Sequence, residues 1–587
     1  MRGFFKIVFA TLLAMILFTV IGFFVLIGIA SSAASSEKPT ISSKAVLVLD
    51  LSTPFKEQFQ ENPFGSFFNK EETDIPSLYD VIRLLHHAET DSLVKGIYIQ
   101  CATNPNGFAA SEELRKALMH FKSSGKFVVA HGETITQKGY YIGSVADSIF
   151  CNPQGGLDFS GFSSDILFLK GMLDKLDIQP QIFYAGKFKS ATEPLRETKM
   201  TEANRLQTSV WLGDLYTHFL LTIGAGRKKD TADLRALAVN GSIRTAYDAV
   251  KYGLIDGVRY DDQIKMMLSK KLNQEASAAI NFVSLHEYKK ASDYTTSGSK
   301  RIALVFAAGD IVSGSGGDDM IGSDKFKNLL QKIRFDKDIK GVVLRVNSPG
   351  GSALASEVIW REISLLRKEK PVVVSMGDVA ASGGYYIACN ADQVFANANT
   401  ITGSIGVFSV VPNFQSFFKN KLGITFDGVK TAPYADMGSS DKPLTEAEKR
   451  FFQASVDSIY DTFKSRVAAG RKKDMVYIDS IAQGRVWTGV RAKEIGLVDR
   501  IGTLQDAIDA VASLAKMNKN DYRIKEYPEK KTFFQQIMDG YKKSVSSDLL
   551  KEEMGVDMYR TVQQVKQVRQ WVGLPQARIP FITTAQF

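Results

Sequence analysis

The chain has 587 residues, 44% hydrophobic and 23% charged, with a net charge of +10 at neutral pH, which leaves room for about three or four ordinary domains. The lysine excess is modest, and with no nucleic-acid motif and no dense basic helix the composition speaks against a nucleic-acid partner. Cys101, Cys151 and Cys389 are an odd number without metal-ligand spacing; they exclude a disulfide framework and read as buried thiols, and no His/Cys or carboxylate cluster argues for a metal or another cofactor.

After Arg2 and Lys6 no charge occurs until Glu37, and Ile7 to Ala30 is almost wholly apolar. About 24 residues span roughly 36 Å as a helix, enough to cross a bilayer and more than the ~7–15 residues of a signal-peptide core. Ser31-Ser32-Ala33-Ala34-Ser35 also fits a cleavage region. The expectation is that residues 1–36 form a cytoplasmic N-terminus and a transmembrane anchor in contact with lipid. The positive flank would stay inside and the bulk of the chain outside.

From Ala45 onward the chain is an imperfect tandem repeat. Aligning Val94-Lys95-Gly96 with Ile339-Lys340-Gly341 runs without a gap to Phe150 against Phe395, and 15 of these 57 positions are identical, where chance gives roughly three or four. Gly139-Tyr140-Tyr141-Ile142 matches Gly384-Tyr385-Tyr386-Ile387. A period this long means two copies of a whole domain. The copies occupy 45–290 and 300–515, separated by Ala291 to Ser299, a Ser/Thr-rich linker. In the second copy, strands at Ile302–Phe306, Gly341–Val346 and Pro371–Ser375 alternate with helices at 353–367 and from Ser382, which predicts an α/β fold with parallel pairing. Residues 516–587 form a C-terminal tail, in which Val562, Val565, Val568 and Val572 beside Trp571 predict an amphipathic helix.

The differences between the copies carry the chemistry. Ala380-Ala381-Ser382-Gly383-Gly384 faces Gln137-Lys138-Gly139, and Asn347-Ser348-Pro349-Gly350-Gly351 faces Ala102-Thr103-Asn104-Pro105-Asn106. Lys189, in Phe188-Lys189-Ser190-Ala191-Thr192-Glu193-Pro194, falls opposite Tyr434, so the second copy offers no lysine there. A serine hydroxyl needs activation to act as a nucleophile, and Gly351 and Gly383 offer two free backbone N–H groups for an oxyanion. All six histidines precede the second copy, which excludes a Ser-His-Asp triad within that repeat; a histidine borrowed from the first half stays open. A lysine held neutral by burial can serve as base instead. The residues alone do not choose between Lys189 and Lys187.

These four segments, with Thr402-Gly403-Ser404-Ile405-Gly406-Val407 as the fourth, closely resemble the signal peptide peptidase A (protease IV) family in its long, membrane-anchored, two-repeat bacterial form. The resemblance covers residues 45 to 515. It implies tandem Clp-protease/crotonase-like α/β domains with an N-terminal transmembrane helix and a Ser-Lys dyad divided between the copies. By motif, Ser382 would be the nucleophile, Lys189 the base and Ser404 the residue that positions the amine. Gly351 and Gly383 would be the oxyanion donors. It further implies a homotetramer without cofactor that degrades cleaved signal peptides and other apolar peptides. The location would be the bacterial inner membrane, crossed once, with the catalytic domains on the periplasmic side. Two rival readings are an anchored, catalytically silent peptide-binding scaffold and a crotonase-like enzyme acting on acyl thioesters.

Overall fold

The computed structural model describes residues 2–34, 39–58, 75–275, 278–294, 298–518, 521–529, 575–579 and 585–586. The amphipathic helix expected around Val562 to Val572 lies outside them. The first helix, α1, covers Arg2–Ala34. Among the described residues no helix is long and apolar enough to cross a membrane. That finding corrects the expected membrane-anchored form: its transmembrane helix, its lipid partner and its single-pass inner-membrane location.

The first copy runs β1 (Ala45–Asp50), α2 (Leu78–Thr90), β2 (Val94–Gln100), α3 (Phe108–Ser123), β3 (Phe127–Gly132), α4 (Gln137–Gly143), β4 (Ser148–Cys151), β5 (Gln179–Ala185), α5 (Glu202–Arg227), β6 (Gly257–Val258) and β7 (Phe282–Ser284). Six of these strands form a parallel sheet in the order β6-β4-β3-β2-β1-β7. The pattern that makes the helices is local: Ser77 caps α2 by accepting from the Asp80 N–H, and Val81, Leu84, Leu85 and Ala88 bury one face.

The second copy runs β8 (Lys300–Ala308), β9 (Asp310–Val312), β10 (Met320–Gly322), α6 (Ser323–Phe335), β11 (Ile339–Ser348), β12 (Gly350–Ser352), α7 (Ala353–Leu366), β13 (Val372–Ala381), α8 (Gly383–Ala388), β14 (Gln393–Ala396), β15 (Ile401–Gly403), β16 (Val407–Asn413), α9 (Glu446–Arg471), β17 (Val486–Thr488), β18 (Arg500–Ile501), α10 (Leu504–Leu514) and β19 (Tyr522–Tyr527). Its main sheet has the order β17-β15-β13-β11-β8-β19, with β14 and β18 continuing from β13. β11 is a near-continuous apolar run because helices cover both faces of a parallel sheet. Each copy has its own large core, so the expected α/β fold of repeated strand and helix units stands.

The copies are knit together by a third sheet, β10-β9-β12-β20-β16-β5, where β20 is Gln576–Arg578. Its β5 comes from the first copy and pairs antiparallel with β16 from Val407↔Ala185 to Asn413↔Gln179. Away from that sheet, fully buried Arg345 meets Glu57 at 2.9 Å and Glu113 at 2.7 Å. Asp378 accepts from the Ala109 and Ala110 N–H groups at the start of α3, at 2.8 and 3.1 Å.

Candidate active site

β13 ends at Ala381 and α8 begins at Gly383, so Ser382 occupies the turn between them. Its backbone is strained, with φ 54° and ψ −115°. Such a conformation in a non-glycine residue costs roughly 1–3 kcal/mol and persists only where the surroundings enforce it. Here they do: the Ser382 N–H donates to Gly403 O and its carbonyl accepts from the Tyr386 N–H, both at 2.8 Å. The hydroxyl makes no capping bond to the helix, which leaves it available to another partner.

That partner is Lys189, delivered by the β5–β16 pairing. Because Ala185 sits opposite Val407, the segment following β5 is carried alongside the residues just before β16, among them Ser404. The Phe188 N–H donates to Gln483 O at 2.7 Å, and Gln207 on α5 donates to Phe188 O at 3.0 Å and to Ser190 Oγ at 2.9 Å. Gly484 lets the two backbones touch: a Cβ there would lie 2.7 Å from the Lys189 nitrogen, and its φ of +72° also favours glycine. Lys189 Nζ lies 2.8 Å from Ser382 Oγ, and 3.1 Å from both the carbonyl and the hydroxyl oxygen of Ser404. All three residues are fully buried. Burial alone pushes the Lys189 pKa well below its ordinary 10.5.

The glycine pair approaches the same point. Gly350 has φ 101°, and a Cβ on it would stand 2.7 Å from the Gly383 nitrogen. The backbones of β12 and of the Ser382 turn are therefore in contact, and the sequence-predicted Gly351 and Gly383 lie on the two sides of that junction. Every residue singled out from the motifs falls in one place, while Lys187 is exposed, its Nζ over the Phe188 ring. Among the histidines, His86 and His120 bond Glu89, His218 faces Glu112, and His131 faces Tyr98.

At the same offset the first copy keeps the frame and fills the site. Gln137, opposite Ser382, donates to Gly161 O at 2.8 Å, and Gly161 is the counterpart of Gly406. Phe159, opposite Ser404, packs against Tyr140 and Phe219.

Three features lay beyond the sequence reading: the loop Gln483 to Val486 that grips the lysine turn, Gln207 that holds it from the other side, and the strand 576–578 beside Gly350-Gly351. Nothing in a three-residue strand announces the last. Among the described residues the fold also gathers one cluster with metal-ligand chemistry, where ligand atoms of His86, Glu89 and His120 lie within 4.8 Å of one another. The two histidine bonds to Glu89 satisfy it as it stands. The three cysteines are buried free thiols.

The chain is 36% identical over 483 residues to "Protease 4" of Salmonella typhi, covering 81% of this chain and 77% of that protein. It is 33% identical over 441 residues to "Serine protease SPPA, chloroplastic" of Arabidopsis thaliana, covering 74% and 64%. It is 39% identical over 210 residues to "Putative signal peptide peptidase SppA" of Enterococcus faecium, covering 36% and 60%. A solved ClpP1 mutant from Listeria monocytogenes overlaps 35% of this chain and 94% of its own at a TM-score of 0.24 and 15% identity, too low to carry an argument. The description "Peptidase family S49" matches residues 120–275 and 364–518, one segment in each copy. With these matches, the chain belongs to peptidase family S49, a family of serine proteases.

Proposed function

We propose that the chain is a serine endopeptidase working through a dyad of Ser382 and Lys189, with cleaved signal peptides and similar extended apolar peptides as substrates. The observation that carries the reading is the 2.8 Å approach of Lys189 Nζ to Ser382 Oγ in a fully buried setting. A neutral amine has two N–H donors and one lone pair. Donating to the carbonyl and hydroxyl of Ser404 uses both donors, and the lone pair is left for the Ser382 proton. Without Ser404 the amine could rotate away, so that residue is a positioning residue.

In the reaction, Ser382 Oγ attacks the substrate carbonyl while Lys189 takes its proton. The oxyanion is met by the N–H groups of Gly351 in β12 and Gly383 at the start of α8, both fixed in the fold and costing no reorganisation when charge develops. Lys189 then passes its proton to the leaving amine. A water deprotonated by the same lysine releases the acyl group from Ser382.

The substrate class is argued from shape and from relatives. A site reached between strand edges takes an extended backbone and gives specificity through alternate side chains, which suits a processed apolar peptide and excludes a folded domain. A related Enterococcus faecium protein is described as a putative signal peptide peptidase. The test is hydrolysis of a synthetic signal peptide by wild type and by Ser382→Ala. The variant should fall by as much as ~10⁶-fold in kcat, the scale for a nucleophile that acts within a unit. Turnover retained in Ser382→Ala would refute the dyad.

A further inference from the structure

One corner of the first copy brings two histidines and a carboxylate to a single point. His86 and Glu89 lie three residues apart on α2 and share a face of that helix, while His120 stands in the last turn of α3. Both imidazoles aim at the same carboxylate oxygen: His86 Nδ1 is 2.8 Å and His120 Nδ1 2.7 Å from Glu89 Oε1. The two rings meet edge to face with their centroids 5.1 Å apart.

The packing beneath fixes this convergence. Leu85 and Ala88 of α2 and Ala117 and Phe121 of α3 are buried in one core, so the helix backbones hold the three side chains together. α2 precedes β2 and α3 precedes β3, and these strands are parallel neighbours. Both helices therefore run the same way and end at this corner. A helix C-terminus carries roughly half a negative charge, and here two lie side by side. The corner already holds one cation, since Lys126 Nζ donates to Ala88 O and Asp91 O, both at 2.6 Å.

Glu89 is the member that calls for a partner. Its side chain is 13% exposed, and among the described ion pairs it meets the two histidines but no lysine or arginine. Lys126 feels its charge yet spends its ammonium on the two carbonyls. A charge so far withdrawn from water is ordinarily paired or bound to a metal. Moving one proton on each neutral imidazole from Nδ1 to Nε2 frees the Nδ1 lone pair, which turns the cluster into a set of two nitrogens and one oxygen without net loss of protons. Such a set suits zinc and its neighbours, whereas magnesium and calcium take oxygen ligands. Tetrahedral zinc, with bonds of about 2.0–2.1 Å, places its ligand atoms about 3.3 Å apart. The nitrogen–oxygen separations need to open by about half an ångström to reach that spacing. The widest separation, at most 4.8 Å, needs to close. The His120 side chain, 62% exposed, is free to make the adjustment.

We propose that His86, Glu89 and His120 bind a divalent transition-metal ion, zinc by the chemistry of the set, with water in the fourth position, and that the ion staples α2 to α3. The site is separate from the dyad: it lies where β2 and β3 of the first copy begin, whereas Ser382 follows the end of β13 in the second.

Titration of the untagged full chain with cobalt(II) and then with zinc tests this. The expected result is a visible cobalt band that saturates at one equivalent and is displaced by zinc, with a zinc-dependent rise in the thermal midpoint that a chelator reverses. His120→Ala and Glu89→Gln should each weaken binding by more than the ~10–100-fold that loss of an outer partner costs. His87→Ala should bind as the parent does, because that ring faces Tyr288 instead, with centroids 6.0 Å apart. The absence of a saturable band, a band unchanged in both His120→Ala and Glu89→Gln, or a band lost equally in His87→Ala overturns the site. Binding at one equivalent with an unmoved thermal midpoint overturns the staple.

Discussion

Replacing Lys189 by Met should make the protein more stable relative to wild type at low pH than at high pH, with a slope set by a single proton. Lys189 is fully buried and its pKa lies well below 10.5 in the folded chain, whereas in the unfolded chain it returns to about 10.4. Between those two values the unfolded state holds the proton and the folded state does not. Stability of the wild type therefore rises with pH by about 1.4 kcal/mol per unit across that window. The cost of burying the lysine is greatest at and below the folded pKa, and it is gone above the unfolded one. Methionine keeps the volume and removes the titration. It also strips Ser404 of a partner, a pH-independent loss of roughly 1–3 kcal/mol. The measured quantity is the difference in urea unfolding free energy between Lys189→Met and its parent, both carrying Ser382→Ala so that neither digests itself. Above the folded pKa and up to about pH 10 the difference should shift in favour of the parent by about 1.4 kcal/mol per pH unit. A difference that stays flat over that interval would mean that Lys189 is charged in the folded state, and the base would have to be sought elsewhere.

Activity should follow the same proton: turnover rises with pH as Lys189 loses its charge. Lys189→Arg, which keeps the charge at every accessible pH, should be reduced about 10²–10⁴-fold, while Ser404→Ala loses less; an active Lys189→Arg enzyme would reopen the case for a histidine. Arg345→Ala should destabilise the chain by about 3–5 kcal/mol, because Glu57 and Glu113 would be left buried without their cation. Burial already pushes the Glu113 pKa up, so calorimetry should find the loss smaller in acid, where that carboxylate accepts a proton; a loss equal at all pH values would contradict it.

The repeat was legible almost to the residue. The offset of 245 carries the first residue of α2 to that of α6, α3 to α7, β3 to β13 and β4 to β14, because apolar periodicity and turn residues are local signals. The strand expected at Pro371–Ser375 instead reaches Ala381. The Asp378 carboxylate is occupied by two N–H groups of the first copy, and no local pattern reveals a partner 269 residues away. Ser382 and the glycines stood out as motif; Lys189 needed the family resemblance, since its neutrality is produced by burial under elements distant in sequence. The membrane anchor was read from the apolar run Ile7 to Ala30 and from the family resemblance, and the described helices do not support it.

Dividing the dyad between copies ties its chemistry to their interface, and Gln207 is where that tie can be tested. Its amide donates to Phe188 O and Ser190 Oγ on either side of the lysine, and its carbonyl oxygen accepts from the Val486 N–H of the second copy at 3.2 Å. One side chain thus holds the base-bearing turn against the loop that encloses it. Gln207→Ala removes these bonds without touching Ser382, Lys189 or Ser404. The lysine turn should loosen and admit water. Because burial is the cause of the lowered Lys189 pKa, partial hydration must raise that pKa toward its ordinary value. The midpoint of the pH–activity curve should therefore move to higher pH, and much of the lost turnover should return in alkali. A purely structural role predicts a fall in the amount of folded enzyme with an unmoved midpoint. Measuring kcat against pH per mole of Ser382 labelled by a serine-directed reagent separates the two, and an unmoved midpoint would show that the interface does not tune the base.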